Sequence, residues 1–260
     1  MSRKQKVKNL TLKDIYRKHF RVAIFGSARI KPGGKLYKDV FNLAKNVGDH
    51  GFDIVTGGGP GLMEAANAGH EAGDPHHHAD SIGLTIRLPK ECKGNSHLEI
   101  RKHFNKFSAR LDHFMALSNV VVVMPGGIGT CLELFYTWQL TQVKHICPIP
   151  IILVGELWEK LLNWVIDYPL RLNYVSPPDL RNIYIAKNNR EAFKIIKKAH
   201  ELFEELGENA CLNADQYLLT EDAESHGERR AHARRAARKM SKKDLAKKEE
   251  ALEKMGERLE

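Results

Sequence analysis

Residues 120–124 (VVVVM) run apolar without a break and stop at a loop, Pro125-Gly126-Gly127-Ile128-Gly129-Thr130. A strand with one wet face alternates apolar and polar residues. An unbroken apolar run closed by glycines describes a strand buried on both faces, as in a parallel sheet covered by helices on each side. The same pattern recurs at 22–25 (VAIF), 52–55 (FDIV), 81–86 (SIGLTI) and 149–154 (IPIILV), with a short sixth strand at 183–185. Helical spacing fills the intervals at 36–50, 62–72, 98–118, 131–142, about 156–167 and 190–206. Strands alternating with helical patterns predict a doubly wound, mostly parallel α/β sheet of Rossmann-like type over residues 21–207.

Charge sets the ends of the chain apart. The 260 residues carry 41 basic and 32 acidic groups, a net charge of +9. Residues 1–21 hold eight basic groups against Asp14 alone, whereas 22–220 balance 21 basic against 21 acidic groups. The chain thus divides into a basic N-terminal segment (1–20), a neutral folded unit (21–207) and a linker with a charged tail (208–260), helical or disordered. A neutral core has no electrostatic need for a polyanion, so nucleic acid is expected only through the basic ends. No apolar run is long enough to span a membrane, and no membrane partner is expected. The basic N-terminus lacks the apolar stretch of a secretory signal, which predicts a cytoplasmic protein.

The four cysteines (92, 131, 147 and 211) lie far apart with no C-x-x-C pair, so neither a zinc site nor a disulfide framework is expected. His76, His77 and His78 read as an exposed loop without a flanking ligand pattern, and no metal is expected. Trp138, Trp158 and Trp164 fall on helical patterns and are expected to be packing residues, with a dimer interface as a second role.

Two glycine-rich loops each follow a strand and open a helix: 56–61 (TGGGPG) and 125–130 (PGGIGT). Glycine lets the backbone approach a ligand closely. The unpaired N–H groups at a helix start suit a phosphate. Neither loop is G-x-G-x-x-G, and neither continues into G-K-[ST], so the dinucleotide fingerprint and the P-loop are both poor matches. Taken singly, each loop also reads as a plain tight turn. Glu133 follows Gly129 by four residues, and its side chain leans back toward the helix start. There it can activate water or stabilise a developing cation, or simply compensate the helix dipole. Ser27 follows the first strand and is a further candidate for a ribose or phosphate contact.

The segment PGGIGTCLE at 125–133 resembles the PGGxGTxxE motif of the LOG (LONELY GUY) family, whose members have been labelled lysine decarboxylases. Arg110 precedes Pro125 by 15 residues and Glu133 by 23, the spacing of that family's catalytic Arg and Glu. GSAR at 26–29, GGGPGLMEAANAGH at 57–70 and SIGLTI at 81–86 resemble the family in the same order. Leu111 stands where the family has Lys.

The resemblance implies hydrolysis of a nucleoside 5′-monophosphate such as AMP to a free base and ribose 5-phosphate, without a cofactor and in a homodimer or higher homo-oligomer. Glu133 and Arg110 would be catalytic. Ser27, Gly126, Gly127, Gly129 and Thr130 would bind the substrate, with Gly58 and Gly59 opposite. Decarboxylation finds no support, since no His in the chain precedes a Lys as in the usual pyridoxal phosphate anchor. The alternative is a binding module of the same fold that holds a nucleotide or other ligand without turnover.

Overall fold

The computed structural model describes residues 7–16, 18–87 and 94–207. The charged tail and the first six residues lie outside them. Eight strands form one parallel sheet: β1 (Lys8–Asn9), β2 (Arg21–Phe25), β3 (Asp53–Thr56), β4 (Ser81–Ile86), β5 (Ile100–Phe104), β6 (Val120–Val123), β7 (Ile151–Val154) and β8 (Ile183–Ala186). Their order is β1-β5-β4-β3-β2-β6-β7-β8. The connecting helices are α1 (Leu12–Ile15), α2 (Lys35–Asp49), α3 (Leu62–Gly73), α4 (Phe107–Leu117), α5 (Ile128–Gln142), α6 (Glu156–Val165) and α7 (Asn189–Leu206).

The period of two explains the unbroken apolar runs. Val22, Ile24, Val120, Val122 and Ile152 face one core with α2, α3 and α7. Ala23, Phe25, Val121, Val123, Ile151 and Leu153 face another with α4, α5 and α6. All four valines of β6 are fully buried.

One expected helix is corrected. Residues 98–118 are not largely helical: β5 occupies Ile100–Phe104 before α4 begins at Phe107. Ile100 and Phe104 are both buried. A spacing of four satisfies a strand and a helix alike, so the pattern could not separate them. The polar residues between them sit near the sheet edge, where β1 pairs Lys8 with Ile100. The basic N-terminal segment is therefore tied into the sheet from residue 8. Arg21 reinforces the tie, donating to the carbonyls of Asp14 and Ile15 and pairing with buried Asp53 at 3.3 Å.

Two further expectations change. Trp138 and Trp158 are packed as expected, but Trp164 is half-exposed. Cys131 is a free thiol, while Cys147 is disulfide-bonded, against the expectation from the wide spacing of the cysteines. No helix among the described residues is long and apolar enough to cross a membrane.

Helices α2 and α3 touch backbone to backbone. A Cβ on Gly69 or Gly73 would fall 2.1 Å from the carbonyl oxygen of Phe41 or Lys45. This close approach fixes α3, and with it the glycine loop 56–61 that opens it.

Candidate active site

The strand order reverses between β2 and β6, which pair directly, Phe25 against Val123. In an open parallel sheet, the crevice outside the carboxyl ends of the strands at such a switch point is where ligands bind. Three loops converge there. Ser27 N–H donates to the Pro125 carbonyl at 3.2 Å, and Leu62 N–H donates to the Ser27 carbonyl at 3.0 Å. Gly61 makes the second contact possible. Its φ is +72°, and a Cβ there would lie 2.6 Å from the Ser27 oxygen.

The crevice is a cleft of about 730 Å³. Seven of the expected residues line it: Ser27, Arg110, Gly126, Gly127, Gly129, Thr130 and Glu133. The first bond of α5 runs from Cys131 N–H to the Gly127 carbonyl. The N–H groups of Ile128, Gly129 and Thr130 precede it and have no acceptor within the helix. The glycines of this loop differ in purpose. A Cβ on Gly126 would collide with Thr130 Oγ1 at 2.1 Å, whereas one on Gly127 or Gly129 would meet nothing within 4 Å. The last two keep open the space before the helix start.

Gly58 and Gly59, expected opposite the phosphate loop, do not line the cleft. Gly58 N–H donates to Thr56 Oγ1 at 3.0 Å, and the Gly58 carbonyl accepts from Asn95 N–H at 2.8 Å. The Gly59 carbonyl accepts from Asn95 Nδ2 at 3.1 Å. Asn95 also donates to Asn67, which accepts from Thr56 and donates to Ser81. These glycines are spent on joining the loop to its neighbours. The loop reaches the cleft through Gly57 instead, a position that three consecutive glycines did not single out.

Gly57 leaves room for the arginine. A Cβ on it would stand 2.3 Å from Arg110 Nη2. Arg110 is held from several sides. Nε donates to the Leu84 carbonyl at 2.6 Å, the guanidinium lies over the Phe114 ring at 5.1 Å, and Nη1 donates to Glu133 Oε1 at 3.3 Å. The residue after it, Leu111, is buried and lies outside the cleft lining. Sequence reasoning also missed Phe107, one helical turn before Arg110, which forms part of the cleft wall and is half-exposed.

The Glu133 side chain is only 12% exposed. Burial pushes its carboxyl up to about 7, against the opposing pull of Arg110. A carboxyl that gains and loses its proton near neutrality, beside a fixed cation and a row of unpaired N–H groups, is equipped for proton transfer next to a bound anion.

Gly129→Ala separates the loop's two duties. Alanine is a better helix former than glycine by roughly 0.5–1 kcal/mol, so thermal stability holds or rises. The methyl group intrudes into the open space before the helix start, and affinity for an anion bound on those N–H groups, probed with inorganic phosphate, falls on the order of tenfold, equivalent to about 1.4 kcal/mol. Melting curves and titration calorimetry read the two effects separately.

A family model described as possible lysine decarboxylase matches residues 63–196. No curated protein matches the chain. Among solved structures, the molybdenum cofactor binding protein of the phototrophic bacterium Rippkaea orientalis is 19% identical, with a TM-score of 0.52 over 70% of this chain and 97% of that one. The molybdenum cofactor carrier protein of Chlamydomonas reinhardtii is 20% identical, with a TM-score of 0.53 over 71% of this chain and 99% of that one. The protein TM1055 is 23% identical, with a TM-score of 0.53 over 69% of this chain and 99% of its own. These structural likenesses are likenesses of fold.

Proposed function

The chain belongs to the family described as possible lysine decarboxylases, the LOG family, and from that premise we propose that it hydrolyses the N-glycosidic bond of nucleoside 5′-monophosphates to a free base and ribose 5-phosphate. The observation that carries this proposal is the Arg110–Glu133 pair, set beside the open N-terminal turn of α5 in one cleft.

The phosphate sits on the N–H groups of Gly127, Ile128, Gly129 and Thr130, aided by the positive end of the helix. Ser27 lies across the cleft toward the ribose. This places C1′ near Glu133. The bond from C1′ to the base nitrogen breaks with its electron pair leaving on the base, and positive charge develops on the ribose ring. Ionised Glu133 stabilises that charge and takes a proton from the attacking water, whose oxygen bonds to C1′. The protonated carboxyl then returns the proton to the departing base. Arg110 keeps Glu133 in place and its carboxylate accessible near neutral pH.

The family description points to pyridoxal phosphate chemistry, but the lining does not fit that group. None of the described residues lining the cleft is a lysine that could form an internal Schiff base.

The second reading is a binding module without turnover. The two molybdenum-cofactor neighbours are a binding protein and a carrier by their descriptions. Incubation with AMP, GMP, CMP and UMP, followed by chromatography for free base, separates the two. Release of base from at least one nucleotide supports hydrolysis. Saturable binding of all four without products supports the module. The proposal includes a homodimer, supported by the exposed apolar residues Leu132 and Phe135 on α5 and Val143 just past its end, and light scattering reads it directly.

A further inference from the structure

Arg110 and Glu133 stand on neighbouring helices, α4 and α5, which share one core through Phe114, Met115, Leu134 and Trp138. Their bond, at 3.3 Å, is longer than the roughly 2.7–2.9 Å of a strong charged hydrogen bond. It is therefore sensitive to how the two helices stand against each other. A second polar contact joins the same helices: the part-buried Tyr136 hydroxyl donates to Asp112 Oδ1 at 2.6 Å. That is the length of a charge-assisted bond from a hydroxyl to a carboxylate. Tyr136 follows Glu133 by three residues, on the same side of α5 and about 4.5 Å further along its axis. Asp112 follows Arg110 by two residues, so it leaves α4 from a different side. The two contacts thus cross between the helices from different directions, about one turn of α5 apart. Together they limit both the separation and the rotation of α4 against α5.

Glu133 is the only charged residue of α5, where Cys131 and Tyr136 are the other titratable groups. The charged residues lining the cleft are Arg29, Arg110 and Glu133. Of these it is Arg110 whose charge and hydrogen bond pull the Glu133 carboxyl down against burial. Beyond Asp112 on α4, His113 faces Lys102 of β5 at 2.8 Å. We propose that Tyr136 is a positioning residue for the reaction: through Asp112 it holds α4 against α5, so that Arg110 keeps its grip on Glu133. Neither Tyr136 nor Asp112 is among the described residues lining the cleft, so both act through the pair and not on the ligand. Without the tie the helices part or turn, Arg110 loses part of its pull, and burial of Glu133 is opposed less. The effect on rate rests on the hydrolase reading of the cleft. The effect on the Glu133 carboxyl does not.

Tyr136→Phe in the full chain removes the hydroxyl and keeps the ring. Carbon-13 NMR follows the Glu133 carboxyl from pH 5 to 9, assigned by the signal missing in Glu133→Gln. The rate constant kcat/KM for base release from AMP is measured over the same range. The expected result is that the carboxyl midpoint and the acid limb both move up by about half a pH unit, roughly a threefold loss on the limb and less on the plateau. Asp112→Ala removes the acceptor and repeats the shift, which keeps the test open if Tyr136→Phe does not fold. Asp112→Asn keeps an oxygen for the hydroxyl and holds the midpoint near that of the unmodified chain. In the double variant Tyr136→Phe, Asp112→Asn the shift persists. Recovery of the original midpoint there would trace the shift to the freed Asp112 charge and overturn the proposal. An equal fall in rate at every pH, with the midpoint unmoved, would also overturn it, since Tyr136 would then support the fold alone. A midpoint that moves in a chain releasing no base from AMP, GMP, CMP or UMP keeps the tie and removes the hydrolase reading. Base release with midpoint and limb unmoved in Tyr136→Phe removes the tie alone.

Discussion

Glu133→Gln lowers base release from AMP by about a thousandfold, within the 10²–10⁴ range typical of a lost general acid–base group, and leaves AMP binding nearly intact. Glutamine keeps the size of the side chain and an oxygen for Arg110 Nη1, but it neither takes a proton from water nor balances positive charge on the ribose. Single-turnover rates and calorimetry on the same sample distinguish lost chemistry from lost binding. The fold survives for an electrostatic reason. The carboxyl of Glu133 is pushed up to about 7 by burial, from an ordinary value of 4.5. Between those two values the folded chain holds a proton that the unfolded chain has released, so its contribution to stability falls as pH rises from 4.5 and is gone above 7. The accumulated loss is roughly 3 kcal/mol at about 1.4 kcal/mol per unit. Denaturant curves at pH 5 and pH 8 therefore show a smaller decline for Glu133→Gln than for the unmodified chain. A variant that unfolds instead would mean that the carboxylate supports the fold.

The second large effect is on the pH profile. Only the ionised carboxylate performs the first proton transfer, so kcat/KM for base release falls below pH 7, tenfold per unit at the acid end. Arg110 opposes the upward push of burial on Glu133. Arg110→Gln removes that opposition, and the acid limb moves to higher pH while the plateau rate drops. Rates measured from pH 5 to 9 in both proteins read the displacement. A limb that stays near 4.5 in the unmodified chain would mean that the working carboxyl is exposed and is not Glu133.

The sheet was legible because its central strands are buried on both faces. Residues 120–123 and 151–154 announce themselves by apolarity alone. β5 did not, since Ile100 and Phe104 share a spacing that either period accepts and the residues between them are polar. The pairing of Arg110 with Glu133 was legible through motif spacing, 23 residues apart, and the structure brings the two within 3.3 Å. The glycines were harder to assign. Gly57, Gly58 and Gly59 look alike in sequence, and only their neighbours decide which serves the cleft. Arg110 presses on Gly57, while Thr56 and Asn95 bind the other two. A second cleft, at the carboxyl ends of β6, β7 and β8, left no sequence signature, because its cations come from α2 and from the segment that leads from β8 into α7, some 150 residues apart.

The proposed reaction breaks the bond between C1′ and the base and leaves the phosphate ester whole. Proton and phosphorus NMR on one sample of AMP and purified chain follows both bonds at once. The expected spectra show the nucleotide anomeric proton decaying into equal amounts of adenine and ribose 5-phosphate, with the phosphorus signal still that of a monoester. AMP that binds and stays whole, or that releases inorganic phosphate while the anomeric signal persists, would contradict it.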